Sequence, residues 1–343
     1  SAYERRLLDL LKTKVTDNDL LAEIYNLLSS WDPNNISVTK KSIQVIDMFS
    51  GCGGMSLGFD VIGKATGAYR IISAVDIDEA SLSTYSNNFH VPVLKQDITR
   101  LATDHFALNA FLGNIQEFNP KHPLVLIGCA PCQGFTAHRK KQWDEDDARN
   151  GLVEAFGSIV AKVKPDFVVM ENVPELLSGR YWSHFNSFRN HLTSEGYTVK
   201  QGIYNAATFG VAQERFRAIV FAMRTPDFSL PYPLIDPEQF RTVRDAIGDL
   251  PFVVAGEKNT ADHMHRSARH RRATIDVIRA VPKNGGSRPK GIGPQCLDRI
   301  KGFSDVYGRL SWNKPSITIT HYARNPASGR FIHPEQDRGL TMR

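Results

Sequence analysis

Residues 124–136 are LVLIGCAPCQGFT, an apolar run that leads directly into a loop of small and reactive side chains. A continuous apolar run that ends in glycine and proline is typical of a buried strand that delivers a loop to the edge of a sheet. In open α/β sheets, ligands bind at the carboxyl ends of the strands. Cys132 on this loop is therefore a candidate nucleophile.

A second apolar run lies further along the chain and ends in a carboxylic acid. Residues 167–170 (FVVM) are followed by Glu171 and then by Asn-Val-Pro. If the two runs form adjacent strands, their ends bring a thiol and a carboxyl group to one crevice.

The chain around these two runs alternates between strand-like and helix-like patterns. Alternation of this kind predicts a parallel sheet with helices on both faces. No helix separates the last two predicted strands, so we expect that pair to be antiparallel. The predicted strands lie near residues 43–49, 70–77, 91–94, 124–127, 167–170, 198–204 and 216–223.

The bulk composition excludes several classes of protein. The 343 residues are 41% hydrophobic, which is enough for a sizeable core, and the length predicts about two domains. The sequence contains no run of eighteen apolar residues, so it predicts no membrane span. The N-terminal residues lack the apolar core of a signal peptide. Four cysteines do not predict a disulfide framework, so we expect a reducing compartment. Residues 1–30 have the periodicity of two short amphipathic helices, for which packing is the simplest role.

The positive charge is concentrated in one part of the sequence. Residues 258–301 hold eleven Lys and Arg against three Asp, a local charge of +8 in a chain whose net charge is +6. The rest of the chain therefore carries −2. Such a stretch is compatible with binding to a polyanion and equally with a merely solvated surface.

A glycine-rich turn follows the first predicted strand, in DMFSGCGGM (47–55). Glycines there let the backbone approach a ligand closely. Asp76 ends the second strand, where a carboxylate commonly binds a ribose, and Asp97 ends the third. Together these features favour an adenosine-containing cofactor. The alternative is that both acids only cap helices.

Two further patterns admit more than one interpretation. Cys129 and Cys132 form a C-x-x-C pair, which is also found in redox centres and zinc sites. The expected companion ligands are missing, so we predict no metal site. Arg215 and Arg217 alternate on a strand, and two guanidinium groups on one face suit phosphate or carboxylate recognition. Paired surface arginines are, however, often only solvated.

The order of motifs closely resembles that of the cytosine carbon-5 DNA methyltransferases, from about Val45 to the last residue. Ala212 departs from the proline that is usual in the family. The segments that carry the resemblance are DMFSGCGG (47–54), AVDID (74–78), QDIT (96–99), GCAPCQGF (128–135), ENVPELL (171–177), NAATFGVAQERFR (205–217), RLSWNKPSITIT (309–320) and HPEQDRGL (333–340).

The resemblance implies S-adenosylmethionine as cofactor, with S-adenosylhomocysteine as product, on a doubly wound Rossmann-like α/β sheet. It implies that Phe49 stacks on the adenine and that the loop backbone cradles the methionine end. Asp76 would bind the ribose, while Asp97 and Ile98 would bind the edge of the adenine. The full set of implied cofactor-binding residues is Phe49, Ser50, Gly51, Cys52, Gly53, Gly54, Met55, Asp76, Ile77, Asp97, Ile98 and Pro131.

The resemblance also implies catalysis on a cytosine flipped out of double-stranded DNA. Cys132 would be the nucleophile, Glu171 the acid, and Arg215 and Arg217 would lie near the flipped base and its phosphates. The predicted DNA-binding residues are Gln133, Gln213, Arg215, Arg217, Arg269, Arg271 and Arg272. A tRNA-methylating member of the same fold and an inactive regulatory paralogue are the alternatives, with a dithiol redox protein as a more distant one.

The implied domain organisation has four parts. We expect an N-terminal helical extension (1–42), a catalytic and cofactor-binding domain (43–223), a smaller inserted target-recognition domain (224–308) and a return to the catalytic domain (309–343). A second subunit or a further C-terminal segment would complete the last motif. We expect a cytoplasmic protein, associated with the nucleoid in a bacterium, of the kind found in restriction–modification.

Overall fold

The computed structural model describes residues 42–131, 151–299 and 304–343, with the backbone alone at residue 180. The predicted N-terminal helices and the loop residues Cys132 and Gln133 lie outside these ranges. The chain divides into two compact units. The described part of the first comprises 42–131, 151–204 and 216–232, and the second comprises 205–215 and the described residues from 233 to 343.

The first unit is built on one seven-stranded sheet. All seven strands fall where the sequence predicts them, with ends that differ by at most two residues at each position. The strands are β1 (Ile43–Met48), β2 (Tyr69–Asp76), β3 (Val93–Lys95), β4 (Leu124–Gly128), β5 (Phe167–Asn172), β6 (Thr198–Asn205) and β7 (Phe216–Met223).

The strand order is β3-β2-β1-β4-β5-β7-β6. The β1–β2, β1–β4, β2–β3 and β4–β5 pairs are parallel. β7 is antiparallel to β5 and lies between β5 and β6. The order reverses between β1 and β4, which makes their carboxyl ends the switch point at which doubly wound sheets bind ligands.

Six helices accompany the described part of this sheet. They are α1 (Gly54–Thr66), α2 (Glu79–Phe89), α3 (Ile98–Thr103), α4 (His105–Asn114), α5 (Leu152–Val163) and α6 (Trp182–Ser194). β1 and β4 are buried along almost their whole length, as expected for parallel strands covered on both faces. The predicted α/β fold class is confirmed.

The second unit has much less regular structure. Its described helices are short: α7 (Val243–Ile247), α8 (Arg272–Ala280) and α9 (Cys296–Arg299). Two segments outside residues 224–308 also cluster with it. Residues 205–215 do so because the Ser316 amide donates to Ala212 O (3.0 Å) and the Glu214 amide donates to Ser316 O (2.8 Å). Residues 309–343 do so because Arg309 lies in the interior of this unit, fully buried.

No helix in the described part of the chain combines the length and the apolar character needed to cross a bilayer.

Candidate active site

The strands at the switch point place two of the sequence motifs side by side. Met48, the last residue of β1, is opposite Gly128, the last residue of β4, and the Cys129 amide donates to Met48 O (3.3 Å). The glycine loop and the loop that leads to Cys132 therefore leave the sheet from neighbouring strands.

Asp76 holds the glycine loop against the end of β2. Its Oδ2 accepts from the Gly51 amide (2.8 Å) and its Oδ1 accepts from the Asp78 amide (2.9 Å). The helix cap of α2 is Asp78 and not Asp76. The capping alternative is therefore wrong for Asp76, whose carboxylate oxygens each keep a lone pair for a further donor.

Two glycines of this loop have opposite roles. Both have positive φ, +51° at Gly51 and +91° at Gly53, a region that favours glycine. A Cβ atom at Gly53 would collide with the Phe89 ring, so that side of the loop is closed by α2. A Cβ atom at Gly51 would meet no heavy atom within 4 Å. The open side at Gly51 gives a ligand access to the loop backbone.

Apolar side chains flank this open loop. Phe49 has a strained φ of +60° and packs edge-on against Phe156, with ring centroids 6.3 Å apart. Ile77, directly after Asp76, is 66% exposed, which is unusual for isoleucine. An apolar surface next to a carboxylate and an open glycine backbone suits the adenosine part of S-adenosylmethionine, so these residues fit the implied cofactor.

The next two predicted contacts lie at the start of α3. Asp97 is exposed, and its Oδ1 caps the helix by accepting from the Thr99 amide (2.8 Å). The capping role weighed for Asp97 is therefore present. The Ile98 side chain is 3% exposed and belongs to the core. Only its backbone is left to contact a ligand.

Sulfur-containing side chains surround the end of β4. Cys129 is half-buried and its Sγ lies 3.5 Å from Met55 Sδ, whereas Cys52 is exposed. Pro131 is half-buried and is the last described residue before Cys132. Among the described residues, no cluster of three or more His, Cys, Asp or Glu side chains could hold a metal ion.

A buried carboxyl beneath the glycine loop was not predicted from the sequence. Asp47 is 1% exposed, and its Oδ2 accepts from Ser56 Oγ, which lies 2.7 Å from the Tyr85 hydroxyl. Its Oδ1 has no hydrogen-bond partner among the residues that the structure describes. Burial raises the pKa of Asp47 to about 7. The signal in the sequence was an acid near the end of a mostly apolar strand.

Glu171 lies at the exit of β5, beside the exit of β4. Gly128 is paired with Met170, so Cys129 and Glu171 are the next residues on adjacent parallel strands. Arg217 on β7 forms a 2.7 Å ion pair with Glu171 through Nε and Oε1. This register places Glu171 and the start of the β4 loop at the same edge of the sheet.

Asn172 ties these two strand ends together, a role that sequence reasoning missed. It is 1% exposed, and its Nδ2 donates to Ala130 O (3.2 Å), two residues before Cys132. Its Oδ1 accepts from the Val173 amide (2.9 Å). The position of Asn172 next to Glu171 in the motif was the available signal.

Gln213 and Arg215 belong to the second unit. Gln213 Oε1 accepts from the Ile319 amide (3.0 Å), so this side chain braces the segment 316–319. Asn205 Oδ1 accepts from the Arg215 amide (3.0 Å), which fixes the Arg215 backbone. The side-chain oxygen Oε1 of Gln213 is therefore engaged within the unit, whereas its side-chain nitrogen Nε2 remains a potential donor.

The three predicted DNA-binding arginines are all exposed and lie at the start of α8. Arg271 is the N-cap residue and Arg272 the first residue of the helix. Arg272 pairs with Asp276 at 3.3 Å on the surface. Arg269 and Arg271 have no ion-pair partner among the residues described.

Comparisons with known proteins agree with this geometry. The family model for C-5 cytosine-specific DNA methylases matches residues 43–343. Type II methylase M.HgiDII of Herpetosiphon aurantiacus is 32% identical over 305 residues, which cover 87% of this chain and 81% of that protein. Type II methyltransferase M1.HphI of Haemophilus parahaemolyticus is 36% identical over 304 residues, with coverages of 88% and 76%.

One solved structure supports the fold. A protein described as a DNA modification methyltransferase encoded within an E. coli prophage superposes with a TM-score of 0.58 at 23% identity, covering 88% of this chain and 86% of that chain. The open α/β sheet with a glycine loop at its switch point is Rossmann-like, and the family match makes it a Rossmann-like methyltransferase. This chain belongs to the C-5 cytosine-specific DNA methylase family and is a DNA cytosine-5 methyltransferase, as its motifs predicted.

Proposed function

We propose that this chain methylates carbon 5 of a cytosine in a specific DNA sequence, with Cys132 as the nucleophile and Glu171 as the acid. The observation that carries the proposal is the pairing of β4 with β5, which places Glu171 beside the residues that lead to Cys132. The hydrogen bond from Asn172 Nδ2 to Ala130 O fixes the backbone two residues before Cys132.

The role of Cys132 follows from the weak nucleophilicity of carbon 5. Addition of a thiolate at carbon 6 interrupts the conjugation of the ring and places electron density on carbon 5. A base such as water then takes the proton from carbon 5, and the electron pair of that C–H bond re-forms the ring double bond and expels the Cys132 thiolate. The mechanism therefore needs one thiol, which distinguishes it from a dithiol centre that would use Cys129 as well.

Glu171 stabilises the electron density that develops during thiolate addition. A carboxyl group at the N3 edge of the ring does so by donating a proton or a strong hydrogen bond. Arg217 occupies Oε1 of this carboxyl group and orients it. Oε2 accepts no hydrogen bond from the described residues, which leaves it available for the base.

The glycine loop and the ends of β2 and β3 would hold the cofactor. Gly51 and its neighbours present backbone to the ligand, Asp76 has lone pairs for ribose hydroxyls, and Ile77 offers an apolar surface to the adenine. Phe49 packs beside this surface. When bound, S-adenosylmethionine supplies the methyl group that carbon 5 takes up.

The target base must leave the helix because neither face of carbon 6 is accessible in a stacked pair. Arg215, Arg217, Gln213 and Gln133 are the proposed contacts to the flipped nucleotide and its surroundings. The exposed arginines at the start of α8 are proposed to contact phosphates, since such contacts supply most of the sequence-independent affinity for DNA.

Bisulfite sequencing of plasmid DNA and of tRNA, both from cells that express the protein, tests the function directly. We expect methylated cytosines at one recurring sequence in the plasmid. Methylation confined to tRNA would overturn the DNA assignment in favour of the RNA-modifying alternative. Absence of methylation from both would support an inactive regulatory protein.

Trapping with 5-fluorocytosine tests the nucleophile. A duplex with 5-fluorocytosine at the methylated position should form a stable covalent adduct in the presence of S-adenosylmethionine, because fluorine cannot leave as a proton does. Cys132→Ser should abolish the adduct and reduce methylation by about 10,000-fold or more. Cys129→Ser is the matched control and should keep both. An adduct that persists in Cys132→Ser would refute the assignment.

A further inference from the structure

Residues 320–330 (THYARNPASGR) form a basic loop in the second unit. The loop belongs neither to the cofactor site nor to the segment of the predicted DNA-binding arginines. No carboxylate occurs between residues 314 and 334, a segment that contains Lys314, Arg324 and Arg330. Tyr322 in this loop is 69% exposed. Its ring packs only edge-on against His321, with centroids 4.9 Å apart, and its hydroxyl makes no hydrogen bond to any described residue.

The backbone of this loop is fixed although its side chains are exposed. Successive turns join the Ala323 amide to Thr320 O (3.0 Å) and the Asn325 amide to Tyr322 O (2.8 Å). Ser328 Oγ also donates to Tyr322 O (2.7 Å). Ala323 and Pro326 are buried as anchors. A ligand that contacts Tyr322 therefore finds its backbone already ordered, which lowers the entropic cost of binding.

Two arginines of the loop have different environments. Arg330 forms a 3.0 Å ion pair with Asp305 and donates to the carbonyl oxygens of Gly285 and Gly286, so it anchors the end of the loop. Arg324 is exposed and forms no hydrogen bond or ion pair with the residues that the structure describes. Its charge is therefore available to an anion from outside the unit.

Gly339 connects this loop to the start of α8. A Cβ atom at Gly339 would lie 3.3 Å from Arg324 O and 3.7 Å from His270 Nε2. His270 stands between the exposed Arg269 and Arg271. The Arg324 backbone and the His270 ring thus approach the same point, which brings the chain at Arg324 close to the segment that carries Arg269 and Arg271.

We propose that Arg269, Arg271, Arg324 and Tyr322 form one surface that binds duplex DNA, in which the arginines contact phosphates and Tyr322 contacts a base. The chemistry fits because phosphate contacts position a protein on DNA, whereas a contact to a base edge carries sequence information. Tyr322 offers both an aromatic face and a free hydroxyl. The inference rests on the proposed function and extends it to a loop outside residues 224–308.

Fluorescence anisotropy without cofactor tests this surface. The probes are a short fluorescein-labelled duplex with the sequence found by bisulfite sequencing and an unrelated duplex of equal length, each titrated at several salt concentrations. Arg324→Ala should flatten the slope of log affinity against log salt by about 0.9 on both probes. Tyr322→Ala should weaken binding to the cognate duplex about tenfold and change binding to the unrelated duplex much less.

Matched controls come from the first unit. Lys121→Ala removes an exposed cation that precedes β4, at the edge of the sheet opposite the glycine loop. Tyr232→Ala removes a tyrosine that is 68% exposed, nearly the same as Tyr322. Both controls should bind the two probes like the unmodified protein.

The outcomes separate this inference from the proposed function. If the unmodified protein methylates DNA while Arg324→Ala and Tyr322→Ala bind like their controls, the surface is refuted and the function stands. If the unmodified protein neither binds nor methylates DNA, both fail. Photocrosslinking of the unmodified protein to a cognate duplex that contains 5-iododeoxyuridine gives a second measurement, in which we expect a crosslink at Tyr322. Crosslinks confined to other segments, with unchanged affinity of Tyr322→Ala, would remove the base contact.

Discussion

The interiors of the two units of this protein are stabilised by different interactions. In the first, the interior is mostly apolar, and parallel strands satisfy one another's backbone groups. In the second, the largest fully buried side chain is Arg309. Its guanidinium donates to four carbonyl oxygens, of Ile278, Val281, His333 and Gln336, and to the carboxylate of Asp337.

The difference follows from how each unit pairs its backbone. A sheet leaves few buried carbonyl groups unpaired, whereas packed loops leave many, and each unpaired group is costly. Arginine carries five donors in a fixed planar arrangement and can satisfy several carbonyls at once. His333 complements it by accepting at Nδ1 from the amides of Glu335 (3.1 Å) and Gln336 (3.0 Å). Burial lowers the pKa of His333 to about 3, so the ring is neutral and able to accept.

The largest expected effect is the loss of Arg309. Arg309→Met leaves the four carbonyls and Asp337 without this donor, and we expect the free energy of unfolding to fall by about 3–5 kcal/mol. Arg309→Lys should recover only part of this, because one ammonium group cannot reach all five acceptors. Chemical denaturation followed by circular dichroism measures the change.

Arg324→Met is the control for this comparison, since Arg324 is exposed and unpaired within the described residues. Its effect on stability should remain within about 0.5 kcal/mol. Equal stabilities of the Arg309→Met and Arg324→Met proteins would contradict the view that the second unit depends on its buried arginine.

The described part of the first unit has one buried carboxyl group, that of Asp47, and the stability of the protein should depend on pH through it. Burial raises the pKa of Asp47 from 3.8 to about 7, so the folded chain binds this proton more tightly than the unfolded chain. The contribution of Asp47 to the free energy of unfolding therefore falls as pH rises from about 4 to about 7 and is constant above that range.

Asp47→Asn removes this dependence. As pH rises from 4 to 7, the free energy of unfolding of the unmodified protein should fall relative to that of Asp47→Asn. The difference should change by at most about 4 kcal/mol, the equivalent of the pKa shift. Unfolding curves across this pH range measure the difference. A constant difference between the two proteins would mean that Asp47 does not titrate in this window.

A smaller effect is expected at the cofactor loop of the first unit. Asp76→Ala removes the acceptor of the Gly51 amide together with the proposed ribose contact. Affinity for S-adenosylmethionine should fall by roughly 1.5–3 kcal/mol, the scale of hydrogen bonds to a charged group. Isothermal titration calorimetry measures it, with Asp60→Ala, which removes a half-buried ion pair to Lys64 within α1, as control. Unchanged cofactor affinity in a folded Asp76→Ala protein would exclude the ribose role.

The smallest expected effect lies on the surface of the second unit. Replacing Arg269, Arg271 and Arg272 together with alanine should flatten the salt dependence of DNA binding by at most about three units. About two is the expected value, because Arg272 already pairs with Asp276. Binding to unrelated DNA should weaken nearly as much as binding to the target. An unchanged slope would leave this segment as a solvated surface.

The sequence by itself determined the first unit in some detail. Runs such as LVLI (124–127) and FVVM (167–170) are short, continuous and apolar, and with the glycine and prolines that flank them they favour buried strands. All seven strands lie where these patterns place them, because hydrophobic periodicity is a local property. The family and the activity also follow from the sequence, since the order of eight motifs does not depend on the geometry between them.

Only the tertiary structure decided how these elements meet. The position of β7 between β5 and β6 gives Glu171 its partner Arg217, two residues whose numbers in the sequence give no sign of the contact. The burial of Asp47 and the tie from Asn172 to Ala130 also depend on neighbours from distant segments. In the second unit, Arg309 occurs in a sequence that otherwise indicates a surface residue. Its burial became favourable only when two distant segments, residues 278–281 and 333–337, supplied five acceptors for its guanidinium group.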